Sequence, residues 1–253
     1  MTLRPALLLL VASLLGGCVT TGDVDPMRTA KGRDEARDAY VRLGIGYMQK
    51  GQTERAKRPL RSALELDPSN ADAHAALALV FQVEMESKLA DEHFRKALSQ
   101  RPQDARLLNN YGTFLYEQKR YDEALTSYQQ ASEDPLYSER SRVFENIGMT
   151  FLALGQREEA KKYFERSLRL NSQQPRVLLE MAMLFYDARE YVPARDYYES
   201  FSTLAEQNAR SLLLGARLAE VFEDRDTAAS LGLQLRRLYP ASQEYQQYVS
   251  GQQ

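Results

Sequence analysis

A single cysteine and only two histidines occur in this 253-residue chain, and several kinds of chemistry go with them. A lone cysteine, Cys18, closes no internal disulfide. No His-x-x-His or Cys-x-x-Cys pair offers metal-ligand spacing, and neither a glycine-rich phosphate loop nor a Gly-x-Ser-x-Gly elbow is present. Of the two histidines, His74 and His93, His74 falls at the aromatic-type first-helix position that Tyr40 and Phe144 hold in their units, which is a packing role. Carboxylates are plentiful, but they alternate with lysine and arginine, as in "REEAKKYFERS", which is a solvated helix face with i,i+4 pairs. The reading is therefore a non-enzyme with no cofactor, no metal and no small-molecule substrate. With 33 basic and 35 acidic side chains, net charge −2, it carries no nucleic-acid footprint either. No apolar run reaches the ~20 residues that a membrane-spanning helix needs.

The longest apolar run, Ala6–Leu15, follows Arg4 and precedes Gly16-Gly17-Cys18. Residues 1–17 read as a secretory signal. The ending Leu-Gly-Gly-Cys resembles the bacterial lipobox, which implies a diacylglycerol on the Cys18 thiol. A plain signal peptide followed by an unrelated cysteine is the alternative. Buried lipid methylenes contribute ~0.8 kcal/mol each, and two or three chains anchor stably. Val19 stands where inner-membrane lipoproteins usually carry aspartate, so the implied address is the periplasmic side of the outer membrane. Residues 18–36, small and polar at first, read as a tether.

Beyond it the sequence repeats. Ala56, Ala90, Ala124, Ala160, Ala194 and Ala228 are separated by 34, 34, 36, 34 and 34 residues. Around them recur Tyr40, Leu43-Gly44, Tyr47, Leu60, Ala63 and Pro68, then Leu77-Ala78, Phe81, Phe94, Ala97 and Pro102, and so on. This is the tetratricopeptide pattern, and it predicts an all-α, right-handed superhelical solenoid of about six helix-turn-helix units: 37–70, 71–104, 105–138, 141–174, 175–208 and 209–242. Gly44, Ala78, Gly112, Gly148 and Ala182 should sit where paired helices cross closely. The sixth unit is degenerate, with Gly215 and Gly232 replacing larger apolar residues. A two-residue insertion within "SEDPLYSERS" should alter stacking locally, and 243–253 should form a capping tail.

With the packing positions of the first helix assigned to Tyr40, Leu43, Gly44 and Tyr47, a second stripe is left over. Val41, Ile45 and Met48, continued by Ala75, Leu79 and Val83, form the expected partner-binding groove, unless residues 19–37 fold back over it. A second candidate groove comprises Asn109, Asn110, Thr113, Tyr116, Asn146, Met149, Met183 and Tyr186. Asparagine amides can grip a peptide backbone, and methionines adapt to varied partners; solvated or core roles are the alternatives.

A lipobox followed by regular tetratricopeptide units resembles the type IV pilus biogenesis lipoproteins of the PilF/PilW family. The resemblance spans the whole mature chain and is closest over "YVRLGIGYMQKGQTERAKRPLRSALELDP" onward. It implies a pilotin, which helps the secretin PilQ reach the outer membrane and multimerise, and so serves pilus biogenesis and twitching motility. It also implies lipidation at Cys18, and the family has no catalytic residues to transfer. Two other readings fit a lipid-anchored repeat array: a lipoprotein of the barrel assembly machinery, and an adaptor for a peptidoglycan enzyme or protease.

Overall fold

The computed structural model describes residues 25–251. The signal segment and Cys18 lie outside the described residues. A 3-10 turn, Pro26–Arg28, precedes thirteen α-helices, and there is no strand among the described residues. None of the described helices is long and apolar enough to cross a membrane.

The chain divides into two compact units, up to Gln100 and from Arg101 onward. The first holds two antiparallel hairpins, α1 (Ala30–Gln49) with α2 (Thr53–Leu66) and α3 (Ala71–Val83) with α4 (Ser87–Gln100). The second holds four: α5 (Ala105–Glu117) with α6 (Tyr121–Ser132), α7 (Arg140–Ala153) with α8 (Arg157–Leu170), α9 (Pro175–Asp187) with α10 (Tyr191–Leu204), and α11 (Ala209–Val221) with α12 (Arg225–Leu238). A short α13 (Gln243–Ser250) follows. These are the predicted tetratricopeptide hairpins.

Local chemistry starts the helices. Asn70 and Asp104 accept from the third backbone N–H of α3 and α5 (2.9 and 3.1 Å), and Asn208 forms a reciprocal capping box with Ser211. Thr29 does the same for α1, accepting from Gly32 N at 2.9 Å. Here the structure corrects the sequence reading: α1 begins at Ala30, so the segment assigned to the tether up to residue 36 is partly helix. Nor can 30–37 fold back over the groove, because those residues lead directly into it.

Each turn within a hairpin is made the same way. Gly51, Met85, Lys119, Gly155, Arg189 and Glu223 recur at the repeat spacing and all have φ between 59° and 74°. The N–H of the following residue bonds back to the helix, as in Glu86 N to Phe81 O (2.9 Å) and Arg120 N to Leu115 O (2.9 Å). These are Schellman closures, and four of the six use a residue with a Cβ where glycine is preferred.

Close crossing is borne out. A Cβ added to Gly112 would stand 2.7 Å from the Tyr128 ring, and one on Gly148 2.5 Å from Phe164. Ala56, Ala90, Ala124, Ala160 and Ala194 have no exposed surface. In the degenerate sixth hairpin the missing bulk comes from elsewhere. The Tyr198 phenol occupies the space over Gly215, and Tyr248 of α13 occupies the space over Gly232. Tyr248 also packs on the Leu212, Leu213 and Leu235 cluster, so the tail caps the unit by supplying an aromatic ring.

The insertion lengthens the α6–α7 connection, which runs from 133 to 139, whereas α8–α9 and α10–α11 are joined by 171–174 and 205–208. Arg140 Nε donates to the Ser132 carbonyl at the end of α6 (2.8 Å), fixing the longer loop.

His74 is buried, as a packing role requires. Its Nε2–H donates to the Pro68 carbonyl (3.0 Å), so its Nδ1 lone pair accepts from His93 Nδ1–H at 2.9 Å. Burial lowers the pKa of both rings. That of His93 falls to about 4, with the neighbouring His74 adding to the effect.

Candidate functional site

The first candidate groove lies wholly in the first unit. Of its six residues, Val41 and Ala75 are buried, Ile45, Met48 and Leu79 are half-buried, and Val83 is 67% exposed. Val41 packs against Ala63 of α2 and Ala73 of α3, with Ile45 and Leu64 beside it. The stripe is thus not free of packing duties: its Val41 end joins the two hairpins, Ala75 is buried as well, and only its Val83 end is open. The reason is geometric. A side chain on the α1 face toward α3 closes the seam between consecutive hairpins before it can line a surface.

Two residues beside Val83 went unread in the sequence. Met85 is 88% exposed and Leu89 is also exposed, in and just after the α3–α4 turn. The apolar surface on offer is therefore Leu79, Val83, Met85 and Leu89. The signal was present in "VFQVEMESKLA", where apolar residues continue past the helix end into the turn. Charge borders it: Lys57 bridges Glu54 and Glu84 (2.7 and 2.6 Å), which raises the Lys57 pKa through those two hydrogen bonds.

The packing expected of Tyr40 and Leu43 is also corrected, since both are exposed. The equivalents of Leu43, namely Leu77, Ile147 and Met181, are 0–2% exposed, and Phe144 and Leu178 at the Tyr40 position are buried too, each in a first helix that packs on the second helix of the hairpin before it. No described hairpin precedes α1.

In the second unit the asparagines are engaged with the fold. Asn109 is buried and accepts from Asn146 Nδ2 at 3.1 Å, linking α5 to α7. Tyr137 from the inserted loop is in hydrogen-bond contact with Asn109, and burial raises its phenol pKa. Asn110 is half-buried on the same helix. Thr113 accepts from the Tyr128 hydroxyl (3.1 Å) and donates to the Asn109 carbonyl (3.0 Å). Tyr116 lies ring to ring with Tyr121 at 5.4 Å, and Met149 is half-buried on α7. The Asn109–Asn146 pair is thus an internal cross-link between hairpins, not a free amide row.

Met183 and Tyr186, by contrast, line a cavity of about 230 Å³ with Arg210, Arg217 and Glu244. Arg210 forks onto the buried Glu180 (2.8 and 3.1 Å) and contacts the Met183 sulfur at 2.9 Å. That bidentate pair holds the guanidinium in place and raises its pKa, chiefly through the hydrogen bond to Glu180. A larger cleft, about 640 Å³, lies beside the inserted loop and is lined by Arg142, Glu145, Gln174 and Arg176. Glu145 faces Arg176 at 3.4 Å, and burial raises its carboxyl pKa despite that neighbour.

Comparison with known proteins agrees with this architecture. Tetratricopeptide-repeat family models match residues 46–82, 103–173 and 146–209. The chain is 66% identical over 248 residues to the type IV pilus assembly protein PilF of Pseudomonas aeruginosa, covering 98% of each. A solved structure of P. aeruginosa PilF superposes with a TM-score of 0.84, covering 87% of this chain and all of that one. The structure of PilW, a widely conserved type IV pilus biogenesis factor, superposes with a TM-score of 0.73 at 28% identity, covering 85% of this chain and 99% of that one. With two thirds of its residues identical along nearly the whole length, and the same helical hairpins, this chain belongs to the PilF family of type IV pilus assembly proteins.

Proposed function

We propose that this protein is a pilotin: an outer-membrane lipoprotein, anchored through Cys18 on the periplasmic side, that binds the secretin PilQ and promotes its localisation and multimerisation. The observation that carries the reading is the full-length identity to PilF. The fold supports the scaffold part of it. His74 and His93 are bonded to each other and Glu180 is tied up by Arg210, while Val83, Met85 and Leu89 are exposed, with Leu79 half-buried beside them.

That surface suits an extended or helical apolar segment of a channel subunit, kept from aggregating until ring assembly buries it. The lipid and the groove together act as a bivalent link, raising the local concentration of subunits at the membrane. A deletion strain, fractionated by membrane and blotted for detergent-resistant secretin multimers, tests the role. Multimers should vanish while other outer-membrane barrels stay normal. Multimers that persist in the outer membrane would overturn the proposal.

A further inference from the structure

The exposed side of α1 carries a second apolar surface, separate from the groove. Tyr40 is 38% exposed and Leu43 49%, with Ala36 and Tyr47 on the same side at helical spacing. Ala39 is exposed beside them, and the Arg55 guanidinium covers the Tyr47 ring at 4.4 Å. The charges around this face are unequally satisfied. The acids of α1 are all paired: Asp34 and Asp38 with Arg37 (both 2.8 Å), Glu35 with Lys31 (3.8 Å). Arg33, Arg42 and Lys50 are exposed and have no ion-pair partner among the described residues. The face is therefore apolar and aromatic at its centre, with uncompensated positive charge at its margin. Tyrosine and leucine rimmed by cations suit the boundary between anionic headgroups and acyl chains.

Chain length puts such a boundary within reach. From Cys18 to Asp25 the sequence spans seven steps, about 25 Å at full extension. We propose that the Tyr40–Leu43 face of α1 docks on the bilayer surface bearing the Cys18 lipid, with Arg33, Arg42 and Lys50 against anionic headgroups. This rests on the lipidation of Cys18. Docking would fix the orientation of the first unit over the membrane. It would also leave the α3–α4 surface for a protein partner.

The test uses the full-length lipidated chain, in which acylation consumes the Cys18 thiol, so one introduced cysteine carries the dye. Ala39→Cys, beside the face, is compared with Leu136→Cys in the inserted loop, where the native side chain is 91% exposed. Each is labelled with an environment-sensitive fluorophore and mixed with phosphatidylethanolamine–phosphatidylglycerol vesicles carrying a nitroxide-labelled lipid. The chain should co-float, and the label at position 39 should shift blue and be quenched while that at 136 is not. Adding Arg42→Gln and Lys50→Gln should lower the docked fraction, by about fivefold in partitioning for each cation lost. Co-flotation with an unquenched label at 39 would overturn the docking and leave the anchor standing. Failure to float would remove the anchor and the docking with it. A blue shift that depends on protein concentration, without lipid quenching, would assign the face to a second copy and also overturn the proposal.

Discussion

The capping role of Tyr248 makes a quantitative prediction. Where Gly232 stands, the other hairpins carry Leu60, Phe94, Tyr128, Phe164 and Tyr198, and the first four are 0–2% exposed. The ring over Gly232 comes instead from α13, so Tyr248→Ala should open a void between α12 and α13. Full truncation of a buried aromatic costs about 3–5 kcal/mol, and for a half-buried ring roughly 2 kcal/mol is appropriate. Gly232→Ala should also destabilise, by about 1–3 kcal/mol, because its Cβ would strike the Tyr248 ring. The two costs share one space. The double variant should therefore be less destabilised than the sum, with a coupling of about 1 kcal/mol or more. Stacked repeats open locally, so amide hydrogen exchange in α12 is the sensitive assay. Exchange there should accelerate about 30-fold in Tyr248→Ala, corresponding to ~2 kcal/mol. Additive effects, or unchanged exchange in α12, would refute the account of how the array ends.

Three further predictions follow from other parts of the molecule. Lys119→Gly relieves a left-handed turn (φ 59°) at the cost of unfolded-state entropy, for a net gain of about 0.5–1 kcal/mol, read as a higher urea midpoint. The His93 imidazole should stay neutral in an NMR titration until about pH 4. Because the folded state holds both histidine pKa values below their unfolded values, stability should be complete above about pH 6.5. It should then fall as the pH drops toward 4, by up to about 1.4 kcal/mol per pH unit through His93, with His74 acting in the same direction. A ring titrating near 6.5 would break the assigned hydrogen-bond chain. Val83→Asp should change stability by less than about 0.5 kcal/mol while reducing secretin multimers, whereas Ile147→Ala, with no exposed surface, should cost about 2–4 kcal/mol.

The helical hairpins were legible because their signals are local and periodic: small residues at the crossings, apolar residues one turn away, and the alanine series. What the sequence concealed was anything settled between elements. Val41 and Ile45 have the spacing of a surface stripe, yet the seam between α1, α2 and α3 draws them in. Leu43 has the same repeat position as Ile147 but no described hairpin to cover it. The left-handed turn series was missed because only Gly51 and Gly155 announce it; the other four turns place Met, Lys, Arg and Glu under the same geometry. The asparagines were read as amides open to a peptide backbone. The actual partner of Asn146 is Asn109, brought into line by the offset between adjacent hairpins. The tail was expected to cap, but nothing local in "QEYQQYVS" says that Tyr248 replaces an aromatic missing sixteen residues earlier, at Gly232 in the helix before it.

The most direct test of the central claim is photocrosslinking in living cells, with a photoreactive amino acid substituted at Val83 and, as a control, at Leu136. The account predicts a secretin adduct from position 83 and none from 136. A functional, correctly localised protein that yields no secretin adduct at 83, or yields one only at 136, would contradict it.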